Sequence, residues 1–302
     1  MFEPARLAEV EQLPPRRSPL RAALVALRPR QWVKNLLLFA GIIFAAQLGD
    51  PTRFAQAVSA FLVYCAASSA AYLLNDVRDS QADRRHPVKR RRPIARGELR
   101  PAAAQTLAAV LAMGAIVIAA VIGASSLACL LGFATLQAAY TLRLKHIVLV
   151  DVLVIAGLFV IRAVAGAIAV DVRISPWLLV CTGLLALFLA LGKRRAELVL
   201  AGAGRTTGRA ALEGYSLALI DQLLAAVAGA TIVAYALYTV TARDSYALLA
   251  TLPFVVFGLL RYLQLLHRRG AGEEPENVLL GDAPILVTVV VWAVVCAAIL
   301  AA

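Results

Sequence analysis

The feature that most constrains this chain is a recurrence of apolar blocks about 20 residues long, separated by polar connections. That is the length an α-helix needs to cross the hydrocarbon core of a bilayer. Inside lipid the backbone amides and carbonyls of such a block find partners only within their own segment, so it folds as a spanning helix. Composition agrees: 61% of the 302 residues are hydrophobic and 16% are charged, against about 25% charged in soluble domains. The blocks predict spans near 32–49, 54–74, 103–122, 125–142, 148–170, 177–192, 217–239, 246–266 and 283–302. The expected fold is therefore all-α, a polytopic membrane protein of about nine transmembrane helices. Its least sharply bounded span is 125–142, set off only by the break at Gly123-Ala124-Ser125.

The connections alternate between short and long, and the bases collect in the long ones. Short connections at 49–53, 171–176 and 241–245 hold one Arg each: Arg53, Arg173 and Arg243. The connection 75–102 alone holds Arg78, Arg84, Arg85, Lys89, Arg90, Arg91, Arg92, Arg96 and Arg100. Excess Lys and Arg mark the cytoplasmic side, which puts the N-terminus and the long loops there. Residues 1–27 mix charge, Pro14-Pro15 and short apolar runs without a signal-peptide core, and read as a cytoplasmic arm. Residues 28–302 read as a single transmembrane domain. The formal charge of +12 lies between apolar blocks, where anionic lipid and phosphate account for it better than nucleic acid does. Cys65, Cys129, Cys181 and Cys296 stand singly in apolar segments, without the spacing of a zinc site. Nothing in the pattern speaks against a homo-oligomer.

The most informative stretch is 75-NDVRDSQADRRHPVKRRRPIARG-97. Asp76, Asp79 and Asp83 fall at i, i+3 and i+7, on one side of a helix. Carboxylates stacked at the end of a membrane helix repel one another and are costly to dehydrate unpaired. A divalent cation with hard oxygen ligands, Mg²⁺ above all, resolves both problems and leaves positions for phosphate oxygens. Asn75 adds a neutral amide beside the first Asp. A competing reading is a solvated helix end whose acids pair with Arg78, Arg84 and Arg85. Against it, Lys89-Arg90-Arg91-Arg92 follows at once, and Pro93 and Gly97 promise a turn. Acids for a metal beside bases for phosphate is the arrangement a metal–diphosphate substrate requires.

Asn75-Asp76-x-x-Asp79-x-x-x-Asp83 resembles the first aspartate-rich motif of UbiA-type intramembrane prenyltransferases. The resemblance implies a UbiA-like helix bundle with a cytoplasmic-facing active site, in which these acids bind Mg²⁺ and the diphosphate of an activated substrate. With 84-RRHPVKRRRPIARG-97 added, the string is most similar to the bacterial branch that transfers phosphoribose to decaprenyl phosphate. That branch implies a plasma-membrane transferase whose partners are 5-phosphoribosyl 1-diphosphate and a polyprenyl phosphate lipid. Its product would feed lipid-linked pentose donors for cell-wall glycans such as arabinogalactan.

Other segments extend the likeness from Arg28 to Asp282. In 28-RPRQWVKN-35, Gln31, Lys34 and Asn35 fall at the cytoplasmic interface beside Trp32. Lys34 reads as a snorkelling anchor or, by resemblance, as a substrate ligand. Tyr140 and Lys145 match the Tyr and base that the superfamily often carries at the end of its fourth helix. Arg162 lies mid-span, about 16 Å along a helix from Asp151. It is either a functional charge or a buried pairing that locks helices together. UbiA-type enzymes typically carry a second acidic motif, D-x-x-x-D, in the third cytoplasmic loop. This chain has 192-GKRRAEL-198 there, with Lys193, Arg194 and Arg195 before a single Glu197. Exchanging acids for bases implies fewer metals and more direct phosphate contacts. Lys89, Arg90 and Arg92 are thus candidates for the donor phosphates. Lys34, Lys145, Lys193 and Arg194 are candidates for the lipid phosphate or the donor's 5-phosphate. Weaker likenesses lie in 213-EGY-215, 260-LRY-262 and 273-EEPENVLLGD-282. Two alternatives stand beside this reading. One is an aromatic prenyltransferase of the same fold, disfavoured by the missing second motif. The other is a transporter, supported mainly by Arg162.

Overall fold

The protein is described here by a computed structural model covering residues 15–85, 89–173, 175–202, 210–241, 246–269, 278 and 281–301. His86, Arg243 and the acids Glu273, Glu274 and Glu276 lie outside the described residues, as does most of the expected N-terminal arm. Among the described residues all regular structure is helical: α1 Pro19–Ala26, α2 Ala40–Phe44, α3 Pro51–Arg78, α4 Ser80–Arg85, α5 Pro101–Ile122, α6 Ala124–Leu142, α7 Val150–Ala169, α8 Pro176–Gly202, α9 Leu217–Thr241, α10 Leu252–Arg269 and α11 Ala283–Ala301, with short 3₁₀ segments between.

Among the described residues eight stretches are long and apolar enough to cross a membrane: α3, α5, α6, α7, α8, α9, Tyr246–Arg268 and Ala283–Leu300. They match eight of the nine expected spans. Gly123, at φ +152, breaks α5 from α6 in a single residue, so 125–142 is a full helix of its own. The expected first span, 32–49, is built differently. It is a 3₁₀ helix over Pro29–Phe39 followed by the five-residue α2. A 3₁₀ turn rises about 2.0 Å per residue and an α turn about 1.5 Å, so this segment reaches roughly 30 Å, the thickness of the hydrocarbon core.

The chain divides into two compact units. The first takes in residues up to Pro29 and Ala66–Met113. Ser18 caps α1 through its side chain, with Pro19 at the first helical position, where the missing N–H costs nothing. Ala26, Ala70, Leu73, Ile94, Leu99, Ala104 and Ala108 form its buried core. Small residues let α1, the end of α3 and the start of α5 pack closely. The turn promised by Pro93 and Gly97 is present: Pro93 O accepts from Glu98 N at 2.9 Å, and Gly97 sits at φ +70.

The second unit holds Arg30–Cys65 and Gly114–Ala302. Its main core joins α7, α8, α9 and α10 through Val152, Phe188, Leu191, Ile220, Leu224 and Leu259. At one end of these helices Tyr235 accepts from Trp292 Nε1 at 2.8 Å and bonds Thr251 at 2.6 Å. At the other end lie the charged residues described below. The 3₁₀ segment and α2 press backbone to backbone on α7. A Cβ at Gly166 would stand 2.0 Å from Leu38 O, and one at Gly41 2.8 Å from Ala167 Cα. No side-chain movement relieves a clash with backbone. Gly166→Ala is expected to destabilise the protein by about 1–3 kcal/mol as an overpacked core site. Gly229→Ala, where a Cβ meets nothing within 4 Å, should leave the detergent-solubilised melting temperature unchanged or slightly raised.

Candidate active site

In the first unit α3 ends at Arg78 and α4 starts at Ser80, yet helical bonding crosses the join. Asp79 N donates to Asn75 O and Asp83 N to Asp79 O, both at 2.9 Å. The three aspartates therefore keep helical phase, and phase separates them. At about 100° per residue, seven residues fall some 20° short of two turns, while three fall about 60° short of one. Asp76 and Asp83 accordingly stand over each other, 2% and 3% exposed. Asp79 turns outward, its side chain nearly half exposed and paired with Arg78 at 3.2 Å. Asn75 is half-buried in the same turn.

Two guanidinium groups meet the buried pair. Arg92 Nη1 donates to Asp83 Oδ2 at 2.7 Å and to Asp76 Oδ1 at 3.1 Å, so one nitrogen serves both carboxylates. Arg28 Nη2 donates to the same Asp76 Oδ1 at 2.6 Å. Its guanidinium lies 4.7 Å over the Tyr72 ring. Arg28 has φ +55, and the carbonyl before it, Leu27 O, accepts from Ser69 Oγ at 2.9 Å.

The basic loop is folded around a buried acid. Glu98, its side chain fully enclosed, takes Arg17 Nη1 at 2.9 Å and Arg96 Nη1 at 3.2 Å. Arg84 Nε donates to Ala95 O at 3.2 Å. Arg78, Arg84 and Arg96 therefore have structural partners. Lys89 is exposed and Arg90 half-buried, and Arg90 Nε is buried with no hydrogen-bond partner among the described residues. A buried, unsatisfied guanidinium donor suits an anion.

No three His, Cys, Asp or Glu side chains among the described residues cluster as a metal cage. Mg²⁺ does not demand one, because it is commonly held by one or two carboxylates plus substrate phosphates. Asp76 and Asp83, already sharing one cationic nitrogen, fit that requirement; Asp79 is displaced from it.

In the second unit a separate polar network ties α7, α8 and the segment before α9. Asp151 and Arg194 are both 0% exposed. Arg194 Nε lies 3.6 Å from Asp151 Oδ2, and its Nη1 donates to Glu197 Oε2 at 2.7 Å. Tyr215 donates to Asp151 Oδ1 at 2.7 Å and accepts from Leu149 N at 2.8 Å. Leu149, at φ +65, holds the turn that follows Lys145. Burial, reinforced by the Asp151 hydrogen bond, pushes the Tyr215 phenol well above its usual range. Arg195 pairs with Asp221 at 2.6 Å and donates to Leu266 O at 3.2 Å. Of the three bases in 193–195, Arg194 and Arg195 thus brace helices; Lys193 is half-buried.

Lys34 Nζ donates to Gln31 Oε1 at 2.5 Å. Tyr140 and Lys145 are half-buried at the end of α6 and in the 3₁₀ turn Leu144–His146. Arg162, 6% exposed, donates through Nε to Asn35 Oδ1 at 2.8 Å and through Nη1 to Leu158 O at 3.0 Å. It also lies 4.5 Å over the Phe133 ring. Asn35 in turn donates to Cys65 Sγ at 3.3 Å. This is the locking arrangement, and it removes the main support for a transport path.

Sequence reasoning met Arg28, Asn35, Asp151 and Tyr215 inside wider segments without giving them a place in the site. Asp151 stood out as an acid inside an apolar block, and Tyr215 only as part of the weak likeness 213-EGY-215.

Comparison with known proteins gives a consistent result. The model of the UbiA prenyltransferase family matches residues 36–280. Decaprenyl-phosphate phosphoribosyltransferase of Mycolicibacterium smegmatis is 36% identical over 283 residues, covering 88% of each chain. Its counterpart from Mycobacterium tuberculosis is 35% identical over 275 residues, covering 88% of this chain and 90% of that one. Among solved structures, a UbiA homologue from Archaeoglobus fulgidus bound to GPP and Mg²⁺ superposes with a TM-score of 0.71 at 18% identity. It covers 93% of this chain and 100% of that one.

Removing one partner from the second unit's buried pair leaves an uncompensated charge, so Asp151→Ala should cost about 3–5 kcal/mol of stability. The double variant Asp151→Ala with Arg194→Met should recover most of that in the same unfolding assay. A phenol held above its usual pKa of about 10 stabilises the fold fully below that value, and the contribution is lost as pH rises beyond it. Tyr215→Phe should therefore flatten the loss of melting temperature above pH 10.

Proposed function

The chain belongs to the UbiA prenyltransferase family, and we propose that it transfers 5-phosphoribose from 5-phosphoribosyl 1-diphosphate to decaprenyl phosphate, or a similar polyprenyl phosphate, at the cytoplasmic face of a bacterial plasma membrane. The observation that carries this reading is the buried Asp76–Asp83 pair converging on one guanidinium beside Lys89, Arg90 and Arg91. Identity to phosphoribosyltransferases over most of the chain supports the choice within the family. So does the exchange of a second acidic motif for Lys193-Arg194-Arg195. The concentration of Lys and Arg in the loop 75–102 supports the orientation.

Asp76 and Asp83, with Asp79 at the rim, would hold Mg²⁺ on the donor diphosphate. Bound there, the ion supplies charge neutralisation for the departing diphosphate. Arg90, Arg92 and Lys89 bind the remaining phosphate oxygens and hold the leaving group in line. A lipid phosphate oxygen attacks C1 of the ribose, the C1–O bond breaks, and diphosphate leaves with the bonding pair. The attacking oxygen is already ionised near neutral pH, so no general base is needed. Catalysis rests on positioning and on charges placed beforehand. Lys34, Lys145 and Lys193 are the candidates for the lipid phosphate or the donor's 5-phosphate. Arg194, with Glu197, acts as a positioning residue beneath Lys193, and Arg162 holds the first membrane segment on α7. Membrane lipid surrounds the apolar helix faces.

The test is transfer of label from phosphoribosyl diphosphate into the organic phase by detergent-purified protein with Mg²⁺ and decaprenyl phosphate. Label in the lipid is expected; prenylation of an aromatic acid instead would overturn the reading. Asp76→Ala and Asp83→Ala should each lower kcat at least about 10³-fold, as expected when charge stabilisation of a leaving group is lost. Asp79→Ala, turned away from the buried pair, should lose no more than about tenfold, roughly 1.4 kcal/mol.

A further inference from the structure

Arg28 and Arg92 stand on the carboxylate oxygens that a cation would otherwise take. Asp76 Oδ1 accepts from both, at 2.6 and 3.1 Å, and Asp83 Oδ2 accepts from Arg92 at 2.7 Å. Two aspartates and two arginines make this buried cluster neutral. A divalent ion added alone would meet two fixed guanidinium groups within a few ångströms and leave the cluster doubly positive, in a poorly screened site. A diphosphate arriving with the ion reverses that balance. It supplies the missing negative charge, and its oxygens accept from guanidinium with the bidentate geometry that favours Arg.

The geometry of Arg28 fits exchange of partners. Its backbone is fixed in the left-handed region at φ +55, its preceding carbonyl is pinned by Ser69, and its guanidinium stacks on Tyr72. The backbone is held while, among the described residues, the guanidinium makes one hydrogen bond, to Asp76. Arg92 begins the Pro93–Gly97 turn, which Glu98 anchors through Arg96 and Arg17. Both cations are thus delivered from fixed supports, and both remain 27–28% exposed at the side chain, within reach of a ligand entering from solvent.

We propose that Arg28 and Arg92 are exchangeable internal cations: they neutralise Asp76 and Asp83 in the donor-free protein and pass to diphosphate oxygens when a metal ion takes the carboxylates. Metal and diphosphate then bind interdependently, and the ion alone binds poorly. This rests on the assignment of Asp76 and Asp83 to the metal made above, and adds Arg28 to the groups that touch the donor.

The experiment uses full-length protein in detergent. Mn²⁺ alone is titrated, with free Mn²⁺ read by electron paramagnetic resonance. Binding of labelled inorganic diphosphate is measured separately, without and with saturating Mn²⁺. In the wild type Mn²⁺ should tighten diphosphate binding by about tenfold or more, a coupling that linkage makes reciprocal. Arg28→Met and Arg92→Met should each bind Mn²⁺ alone about fivefold or more tightly than wild type, with the coupling reduced in proportion. Arg28→Lys and Arg92→Lys keep the charge and should retain weak binding of Mn²⁺ alone; they serve if a Met variant does not fold. Unchanged or weakened Mn²⁺ binding in folded Met variants, or tight Mn²⁺ binding in the Lys variants, would overturn the exchange. Asp76→Asn separates the two levels. If, with saturating diphosphate present, it binds Mn²⁺ as wild type does, the metal assignment itself fails. If it loses Mn²⁺ while the Met variants match wild type, only the exchange fails.

Discussion

A carboxylate withdrawn from water at the end of a membrane helix must be neutralised where it stands, and much of the first unit follows from how Asp76 and Asp83 meet that demand. Helical phase stacks the two acids, and burial to 2% and 3% exposure makes an unpaired charge there very costly. Arg92 reaches both only because the chain doubles back through Pro93–Gly97. That turn needs its own anchor, which Glu98 provides by holding Arg96 and Arg17. Arg17 lies just before α1, so the same acid secures the entry to the helix whose end presents Arg28. Fold and site share one set of charges here, and changing either aspartate alters both.

The second unit obeys the same rule with different partners. Arg194 is fully buried between Asp151 and Glu197. Arg162 is held in the apolar interior by the Asn35 amide, a backbone carbonyl and the Phe133 ring. A buried guanidinium with good hydrogen bonds specifies which helices meet, because any other arrangement would strand it. It also sorts the many bases of this chain. Those enclosed with acids or carbonyls brace the bundle, whereas half-buried ones such as Lys193 and Arg90 are the ones the proposed function gives to the substrates.

Most of the fold was legible because a bilayer imposes one length and one pattern on every crossing segment. Eight of the nine expected spans are long apolar helices. The span at 32–49 was legible as apolar but not as 3₁₀, since its form depends on Leu38 and Gly41 lying against Gly166 and Ala167, contacts far apart in sequence. The aspartates were legible from spacing, and so was the turn after Lys89–Arg92. Which aspartates converge was decided by phase and by the position of Arg92, and the three-acid cluster became a pair. Arg28 was hidden for the same reason as Tyr215: each lies in a segment that drew notice, but acquires its contacts from a partner 48 or 64 residues away.

The exchange of acids for bases in 192-GKRRAEL-198 takes on a structural meaning from these contacts. Where a UbiA-type enzyme typically places a second pair of acids, this chain has a guanidinium enclosed by Asp151 and Glu197. Glu197 bonds Arg194, and Asp151 bonds Tyr215 with its other oxygen 3.6 Å from Arg194 Nε, so both carboxylates already serve the bundle. Arg194 is a permanent cation, fixed by folding, and its neighbour Lys193 adds another. On the proposed function, such a site trades an exchangeable charge for two built-in ones. Such a trade suits substrates that bring several phosphates of their own, because fixed cations need no metal to be recruited for each phosphate. Asp76 and Asp83, by contrast, take cations held from outside the acid-bearing helices and near solvent, which is where exchange with an incoming diphosphate is physically feasible.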